Sequence, residues 1–530
     1  MRLFSTLFIE KIYTIWYSKR QCFNLRGEYE MWILNDLEMF KNSSEIAIIH
    51  REKYITFKEL WEKSEKIANY IKKNSKTKAP VLIYGNKDIN IIPVMIASLK
   101  TGRAYCPVDI TYPPERLYKI SKITNCEIIF NFSELDLETS LKVVNSNETE
   151  NIYKSESEIH LKGDWVKPDD ICYILFTSGS TGEPKGVPIR RRNIENFVDW
   201  FKESCQIPND CQTVLNQVSY SFDVSDIPIY IYLPMGKTLF SIDIKMIQNL
   251  KELFEYLEKS DISVWISTPS FLEICNFDDK FNCKMLPKLK KFILAGEVLS
   301  KSLVKSIYEN FEDSVVVNGY GPTEGTVLFS ACDITKEMLE SENSLPIGKV
   351  LPEAEYSIIG KDNLPTKEKE IGELVVISNS VSSGYYNDKE RSERSFFKDE
   401  KTGKMGYKTG DLVFEQDGFL YYISRKDSQI KLNGFRIVVD DIAHNLETLD
   451  YIKNSLVLPI LKDGKVSYLA AFIIVKENTK LSGRELMVKV KKDLKALVPS
   501  YMVPRKIKEI DKFPLNTNGK IDRKKLLEEF

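Results

Sequence analysis

Two periodicities alternate along the first third of the chain. "EIAIIHREKYITF" (45–57) carries apolar stretches on both sides of a charged turn and predicts two short strands. "KELWEKSEKIANYIKKN" (58–74) spaces its apolar residues for one face of a helix. "VLIYG" (81–85) is an unbroken apolar run of strand length. "DINIIPVMIASLKTG" (88–102) reads as a helix closed by glycine, and "AYCPVD" (104–109) as the next strand. Strands alternating with helices predict a parallel sheet covered on both faces. The alternation returns in "VWIST" (264–268), "FILAGEVL" (292–299) and "SVVVNGYG" (314–321). From residue 345 the texture changes to short strands and turns, as in "AEYSIIG", "GELVVIS" and "GFLYYISR", which predicts a β-rich subdomain. Beyond about residue 427 the pattern is mixed again.

A length of 530 residues exceeds one ordinary core, so at least two domains are expected. Lys and Arg number 75 against 76 Asp and Glu, so no overall field attracts nucleic acid or an anionic membrane. The basic run Arg190–Arg192 reads as a solvated surface patch. Nine cysteines are scattered without a CxxC pair, which fits a reducing cytoplasm better than a disulfide framework or zinc site. The three histidines lack the neighbours of a nucleophile–base pair. The apolar segment at the start is short for a signal peptide and far too short to span a bilayer. Residues 1–30 are taken as an extension, with Met31 as the functional start, and stable membrane insertion is not expected.

The chemistry concentrates at "ICYILFTSGSTGEPKG" (171–186). An apolar strand runs into a loop of small hydroxyls and glycines ending in Lys185. Such a turn offers backbone N–H groups, the hydroxyls of Thr177 and Ser178, and a positive charge to a phosphate. It lacks the GxxxxGK[ST] order of a Walker A loop.

"TSGSTGEPKGV" (177–187) resembles the phosphate loop of the adenylate-forming superfamily, which includes acyl-CoA ligases, luciferases and nonribosomal-peptide adenylation domains. Five further segments resemble that superfamily's motifs in its order: "LKTGRAYCPVDITYPPER" (99–116), "NGYGPTE" (318–324), "YKTGD" (407–411), "SRKDSQIKLNGFR" (424–436) and "PLNTNGKIDRKKL" (514–526). "LNQVSYSFDVSDIPIYIYLPMGKTL", "VWISTPSFLEIC", "AGEVL" and "VPSYMVPRKI" resemble, within it, the ligases that load D-alanine onto a carrier protein.

The resemblance implies an α/β fold. A large N-terminal domain (31–426) would combine parallel sheets flanked by helices with the β-rich subdomain. A small mobile α+β domain (427–530) would carry the catalytic lysine. It implies ATP and Mg²⁺, a small amino acid as substrate, and the phosphopantetheine thiol of a separate carrier protein as acceptor. Thr177 and Ser178 would cradle the phosphates. Asn318, Gly319, Tyr320, Gly321, Pro322 and Thr323 would line the adenine and α-phosphate. Glu324 would take Mg²⁺, a hard cation that prefers carboxylate oxygen. Asp411 would accept the ribose hydroxyls, and Tyr422, Ile423, Ser424 and Arg425 would flank the nucleotide. Asp223 would pair with the substrate ammonium, with Ala295 and Val327 shaping the amino-acid pocket. Lys520 would bridge the substrate carboxylate and the nucleotide. Asp427 would be the hinge, with Lys431 and Gly434 reaching the site only after the small domain rotates.

Some positions depart from the D-alanine pattern. Ala295 stands where those ligases usually carry cysteine. Gly319 replaces threonine, and Gly325 replaces alanine. Asp226 and Ile227 replace valine and methionine; Asp226 either adds charge to the pocket or faces solvent. A stand-alone enzyme loading another amino acid in a nonribosomal-peptide-like pathway is the alternative reading. A coenzyme A ligase would have no use for Asp223, and a non-catalytic nucleotide sensor would not need Lys520, Glu324 and Asp411 together.

Overall fold

A computed structural model describes residues 32–155, 162–177, 184–205, 207–208, 210–426, 429–462, 465–476, 479, 481–514 and 521–528. Residues 1–30, Ser178, Asp427, expected as the hinge, and Lys520 lie outside the described residues.

Two mostly parallel sheets form the large part of the chain, each built from the apolar runs seen in the sequence. One has six strands in the order Lys142–Asn145, Ile128–Asn131, Val81–Tyr84, Tyr105–Val108, Ile171–Thr177, Lys185–Arg190. All four residues of Val81–Tyr84 are buried, as expected for a strand covered on both faces. The other has nine strands: Lys349–Val350, Ser330–Asp333, Val315–Tyr320, Lys291–Ala295, Ile262–Ser267, Thr213–Asn216, Thr238–Ser241, Ile46–His50, Lys53–Thr56. Its inner strands run parallel, and the edges turn antiparallel. The helix Phe57–Asn74 starts where predicted because Thr56 and Glu59 close a capping box.

The β-rich region is a five-stranded antiparallel sheet, Glu355–Ile359, Gly372–Ser378, Met405–Gln416, Phe396–Lys398 and Phe419–Arg425. Beyond it, the hairpin Gln429–Leu432 and Phe435–Val438 precedes the helix Val439–Glu447. A three-stranded sheet follows, Ile452–Lys462, Lys465–Val475 and Lys506–Glu509, covered by the helix Gly483–Lys495. This region has its own apolar core, including Ile437, Ile442, Leu446, Leu469, Ala471, Ile473, Leu486, Val490 and Leu494.

One surface expectation fails. Arg191 is buried: its guanidinium pairs with Glu195 at 2.8 Å and lies over the Trp32 ring. Only Arg192 of the run is exposed. A guanidinium can be buried where a carboxylate and an aromatic face replace water.

Candidate active site

The parallel strands of the nine-stranded sheet end together, and the residues just past their C-terminal ends wall one cavity. Thr268 follows Ile262–Ser267, Gly296 follows Lys291–Ala295, and Gly321 follows Val315–Tyr320. Carboxyl ends of parallel strands are where open α/β sheets bind ligands. The cavity has a volume of about 400 Å³, within the range of small-ligand sites.

Asp223 lines it at the start of a short 3₁₀ turn and is 8% exposed. Thr323 hydrogen-bonds its carboxyl, and Oδ2 has no protein partner. Burial raises its pKa to about 6, against the pull of Thr323 and Lys431 and with added repulsion from Glu324. Ala295, Val327, Gly321, Pro322 and Thr323 line the same cavity. Thr326 and Val327 both hold positive φ, 64° and 65°, although both are β-branched. Such strain persists only where the surroundings enforce it, and it clusters at ligand sites. Thr326 is pinned by a 2.6 Å bond from its hydroxyl to the Ser380 carbonyl.

Asp411 and Arg425 also reach the cavity. Asp411 accepts from the Tyr320 hydroxyl at 2.5 Å and from Arg425 Nη1 at 2.7 Å. The partners face each other because Asp411 and Arg425 are paired residues of adjacent antiparallel strands. Lys431 and Gly434, from the 429–438 hairpin, are present at the site too. Lys431 Nζ sits 5.7 Å from the centre of the Tyr320 ring. Burial lowers its pKa, against the attraction of Asp411 and Asp223. The Gly434 amide donates to Glu297 Oε1 at 2.6 Å, and Glu297 Oε2 accepts from the Ser270 amide at 2.9 Å.

Glu324 lies behind the cavity wall with no exposed surface. Burial alone would raise its pKa, but the Arg436 guanidinium and Lys185 outweigh it and hold the carboxyl down at about 2. Arg436 Nη1 stands 2.9 Å from Oε2 and 3.2 Å from Oε1, and the Tyr385 hydroxyl donates to Oε1 at 3.0 Å.

A family model described as AMP-binding enzyme matches residues 38–386. The chain belongs to the AMP-binding enzyme family. The D-alanine--D-alanyl carrier protein ligase of Bacillus licheniformis is 36% identical over 91% of this chain and 96% of its own length. The ligase of that name from Listeria welshimeri is 38% identical over 90% and 94%. Among solved structures, holo-PA1221, a nonribosomal peptide synthetase protein with adenylation and PCP domains, superposes with a TM-score of 0.79 at 22% identity. That match covers 94% of this chain and 84% of that one, and likens the fold.

In this AMP-binding enzyme, the sequence-predicted residues divide into three groups. Asp223, Ala295, Gly321, Pro322, Thr323, Val327, Asp411 and Arg425 share the cavity. Asn318, Gly319, Tyr320, Glu324, Tyr422, Ile423 and Ser424 lie outside its lining. The Asn318 side chain is spent on the Pro346 carbonyl at 2.7 Å, and Gly319 packs against Leu328, whose side chain occupies the space a Cβ would need. Thr177 ends its strand where the described residues stop. Asp226 neither faces solvent nor lines the cavity. It is 5% exposed, and burial, then repulsion from Asp223, pushes its carboxyl well above the usual range.

Arg436, Tyr385 and Glu297 escaped the sequence reading. Arg436 lies inside the "SRKDSQIKLNGFR" motif, but its partner is 112 residues away and nothing local signals the pairing. Lys185, expected at phosphates, stands near Glu324, with Nζ 5.0 Å from the centre of the Tyr385 ring.

Proposed function

We propose that the chain activates D-alanine with ATP and Mg²⁺, then passes it to the phosphopantetheine thiol of a separate carrier protein. The observation that carries this reading is Asp223, a buried carboxylate in the cavity lining with one oxygen that no protein donor meets. A buried carboxylate calls for a cationic partner, and the α-ammonium of an amino acid supplies one. The near full-length likeness to D-alanine--D-alanyl carrier protein ligases selects the amino acid.

In the first step a carboxylate oxygen of the amino acid attacks the α-phosphorus of ATP. The bond to the β-phosphate breaks, and pyrophosphate leaves. In the second, the thiol gives up its proton and its sulfur attacks the acyl carbon, and the bond to AMP breaks. The protein's part is positioning and charge stabilisation. Asp223 holds the ammonium, and Ala295 and Val327 bound the side chain. Asp411, oriented by Tyr320 and Arg425, takes the ribose. Lys520 stabilises charge in the first step.

Mg²⁺ arrives on ATP. Glu324 suits it chemically, since Mg²⁺ binds through one or two carboxylates together with substrate phosphates. Among the described residues no group of three or more His, Cys, Asp or Glu could hold a metal by itself. With Arg436 on Glu324 and Lys431 at the cavity, the pose described here is the one we assign to thiol transfer. The domain boundary at 426/427 and the hinge at Asp427 belong to this proposal.

The test is pyrophosphate exchange with D-alanine, L-alanine, glycine, β-alanine, acetate and a fatty acid. D-Alanine should support exchange most strongly. Exchange with acetate or a fatty acid and none with amino acids refutes the reading. Preference for glycine or β-alanine would favour the second reading, for which the small side chain of Ala295 in the cavity wall speaks.

A further inference from the structure

Glu297 lies outside the cavity lining, yet both oxygens of its carboxylate are engaged by residues that belong to that lining. Oε2 accepts from the Ser270 amide at 2.9 Å, and Oε1 accepts from the Gly434 amide at 2.6 Å. Ser270 is in the helix Pro269–Asn276 of the large part. Gly434 is in the turn between the paired strands Gln429–Leu432 and Phe435–Val438 of the small region. One carboxylate therefore ties the main chain of one region to the main chain of the other. The local sequence builds both ends of this tie. The strand Lys291–Ala295 ends at Gly296, whose φ of 90° is a backbone that glycine adopts readily, and Glu297 follows that turn. Ser270 is the second residue of its helix, where N–H groups have no partner within the helix. The N-cap Thr268 makes no side-chain bond there, so Glu297 serves instead, a negative charge at the positive end of the helix. At the other end, Asn433 and Gly434 hold φ of 52° and 81°, positive at both central residues as a tight two-residue hairpin turn requires.

Fixing the amide of so short a turn fixes both strands of the hairpin, and Lys431, which lines the cavity, stands on the first of them. We infer that Glu297 is a positioning residue for thiol transfer: it anchors the hairpin turn to the start of the helix Pro269–Asn276, so that Lys431 stands in the cavity while the thiol attacks. The inference rests on the function proposed above and on the assignment of this pose to transfer. Adenylation, assigned to the other pose, does not use the tie. The arrangement calls for a carboxylate specifically. Both partners are N–H donors, and a carboxylate presents two acceptor oxygens. An amide of the same size presents one oxygen and turns its own N–H groups towards the second donor. Glu297→Gln thus keeps the shape of the side chain and breaks one arm of the tie, leaving a donor against a donor.

The experiment compares wild type, Glu297→Gln, Gly434→Ala and the double variant, with Val298→Ser as a control at the exposed neighbouring position. Two half-reactions are followed: pyrophosphate exchange, and transfer from supplied D-alanyl adenylate to the phosphopantetheinylated D-alanyl carrier protein of Bacillus licheniformis and, separately, to free pantetheine. Glu297→Gln should lower kcat of transfer to both thiols about tenfold or more, the scale of one hydrogen bond to a charged group. KM for the carrier and the rate of exchange should stay within about twofold of wild type, and Val298→Ser should change nothing. The double variant should transfer no more than about twofold slower than Gly434→Ala alone, because both substitutions remove the same contact. Unchanged transfer in Glu297→Gln overturns the inference. So does an equal fall in exchange and transfer, which would make Glu297 a helix cap needed only for the fold of the large part. A multiplied loss in the double variant overturns it too, since Glu297 would then act independently of the turn, as does a raised carrier KM at unchanged kcat, which would place Glu297 in carrier recognition. A wild-type chain that performs exchange but loads neither thiol overturns the parent function and the inference together, an outcome read before any variant is made.

Discussion

Asp223 shows what one buried carboxylate costs and enables. Its pKa stands at about 6 against an ordinary 3.8, chiefly through burial. The native state therefore binds this proton more tightly than the unfolded chain does. Its contribution to stability is unfavourable and sets in as pH rises from about 4 to 6, reaching about 3 kcal/mol above that window, from a shift of about 2 units at 1.36 kcal/mol each. Asp223→Asn should consequently raise the thermal midpoint at pH 7.5 but leave it nearly unchanged at pH 4. The same substitution should abolish amino-acid-dependent exchange, because an amide cannot neutralise an ammonium. In the wild type, kcat/KM for the amino acid should fall about tenfold per pH unit below 6. A flat profile between pH 5 and 7 would remove Asp223 from ammonium recognition.

At the scale of elements, the hairpin Gln429–Val438 decides whether the small region can sit as described. Gly434 at its turn has φ of 81°, and a Cβ there would lie 2.5 Å from Thr268 Cγ2. Glycine is required twice, for the left-handed backbone and for the close approach. Gly434→Ala should slow transfer to the carrier at least tenfold, since the hairpin could no longer close on Thr268 and Glu297. Pyrophosphate exchange should stay within about twofold, because we assign adenylation to the other pose. Parallel loss of both half-reactions would mean that the substitution damages the hairpin's fold and not its docking. By contrast, Gly319, also placed at the site by sequence resemblance, packs against Leu328 inside the sheet.

At the scale of the molecule, contacts from several elements fasten the small region over the cavity. Arg436 meets Glu324, Gly434 meets Glu297, and Lys465 meets Glu273. Phe435 packs edge-on against Phe222 at 4.8 Å and stacks on Tyr501. Adenylation in our proposal needs Lys520 in the site instead of Lys431, so one small domain must serve two poses through Asp427. Lys520→Ala should cut adenylate formation a hundredfold or more, yet leave transfer from supplied D-alanyl adenylate intact. Asp427→Pro, which fixes φ and removes an N–H, should show the reverse. Both half-reactions are to be assayed beside a thermal melt. A folded Asp427→Pro chain with unchanged transfer would refute the hinge as placed.

Much of the architecture was legible from pattern alone. The short apolar run Val81–Tyr84, closed by glycine, reads as a central strand, and Thr56 with Glu59 marks a helix start, because both signals are local. The resemblance of short motifs named Asp223, Asp411, Arg425 and the 321–323 turn, and these do converge on one cavity. What the chain could not reveal by itself depends on contacts between distant segments. The basic run 190–192 looks solvated until Glu195 and Trp32 cover Arg191. Asp226 looks like a pocket charge or a solvent-facing residue until packing buries it and, with Asp223 nearby, pushes its carboxyl up. Arg436 is one more basic residue in a motif until the hairpin brings it onto Glu324, 112 residues away. Local sequence determines which segments fold into which elements and which side chains carry chemistry. The partners those side chains meet, and hence their charge, are decided by tertiary packing, because electrostatic energy depends on distance and burial, neither of which has a period in the sequence.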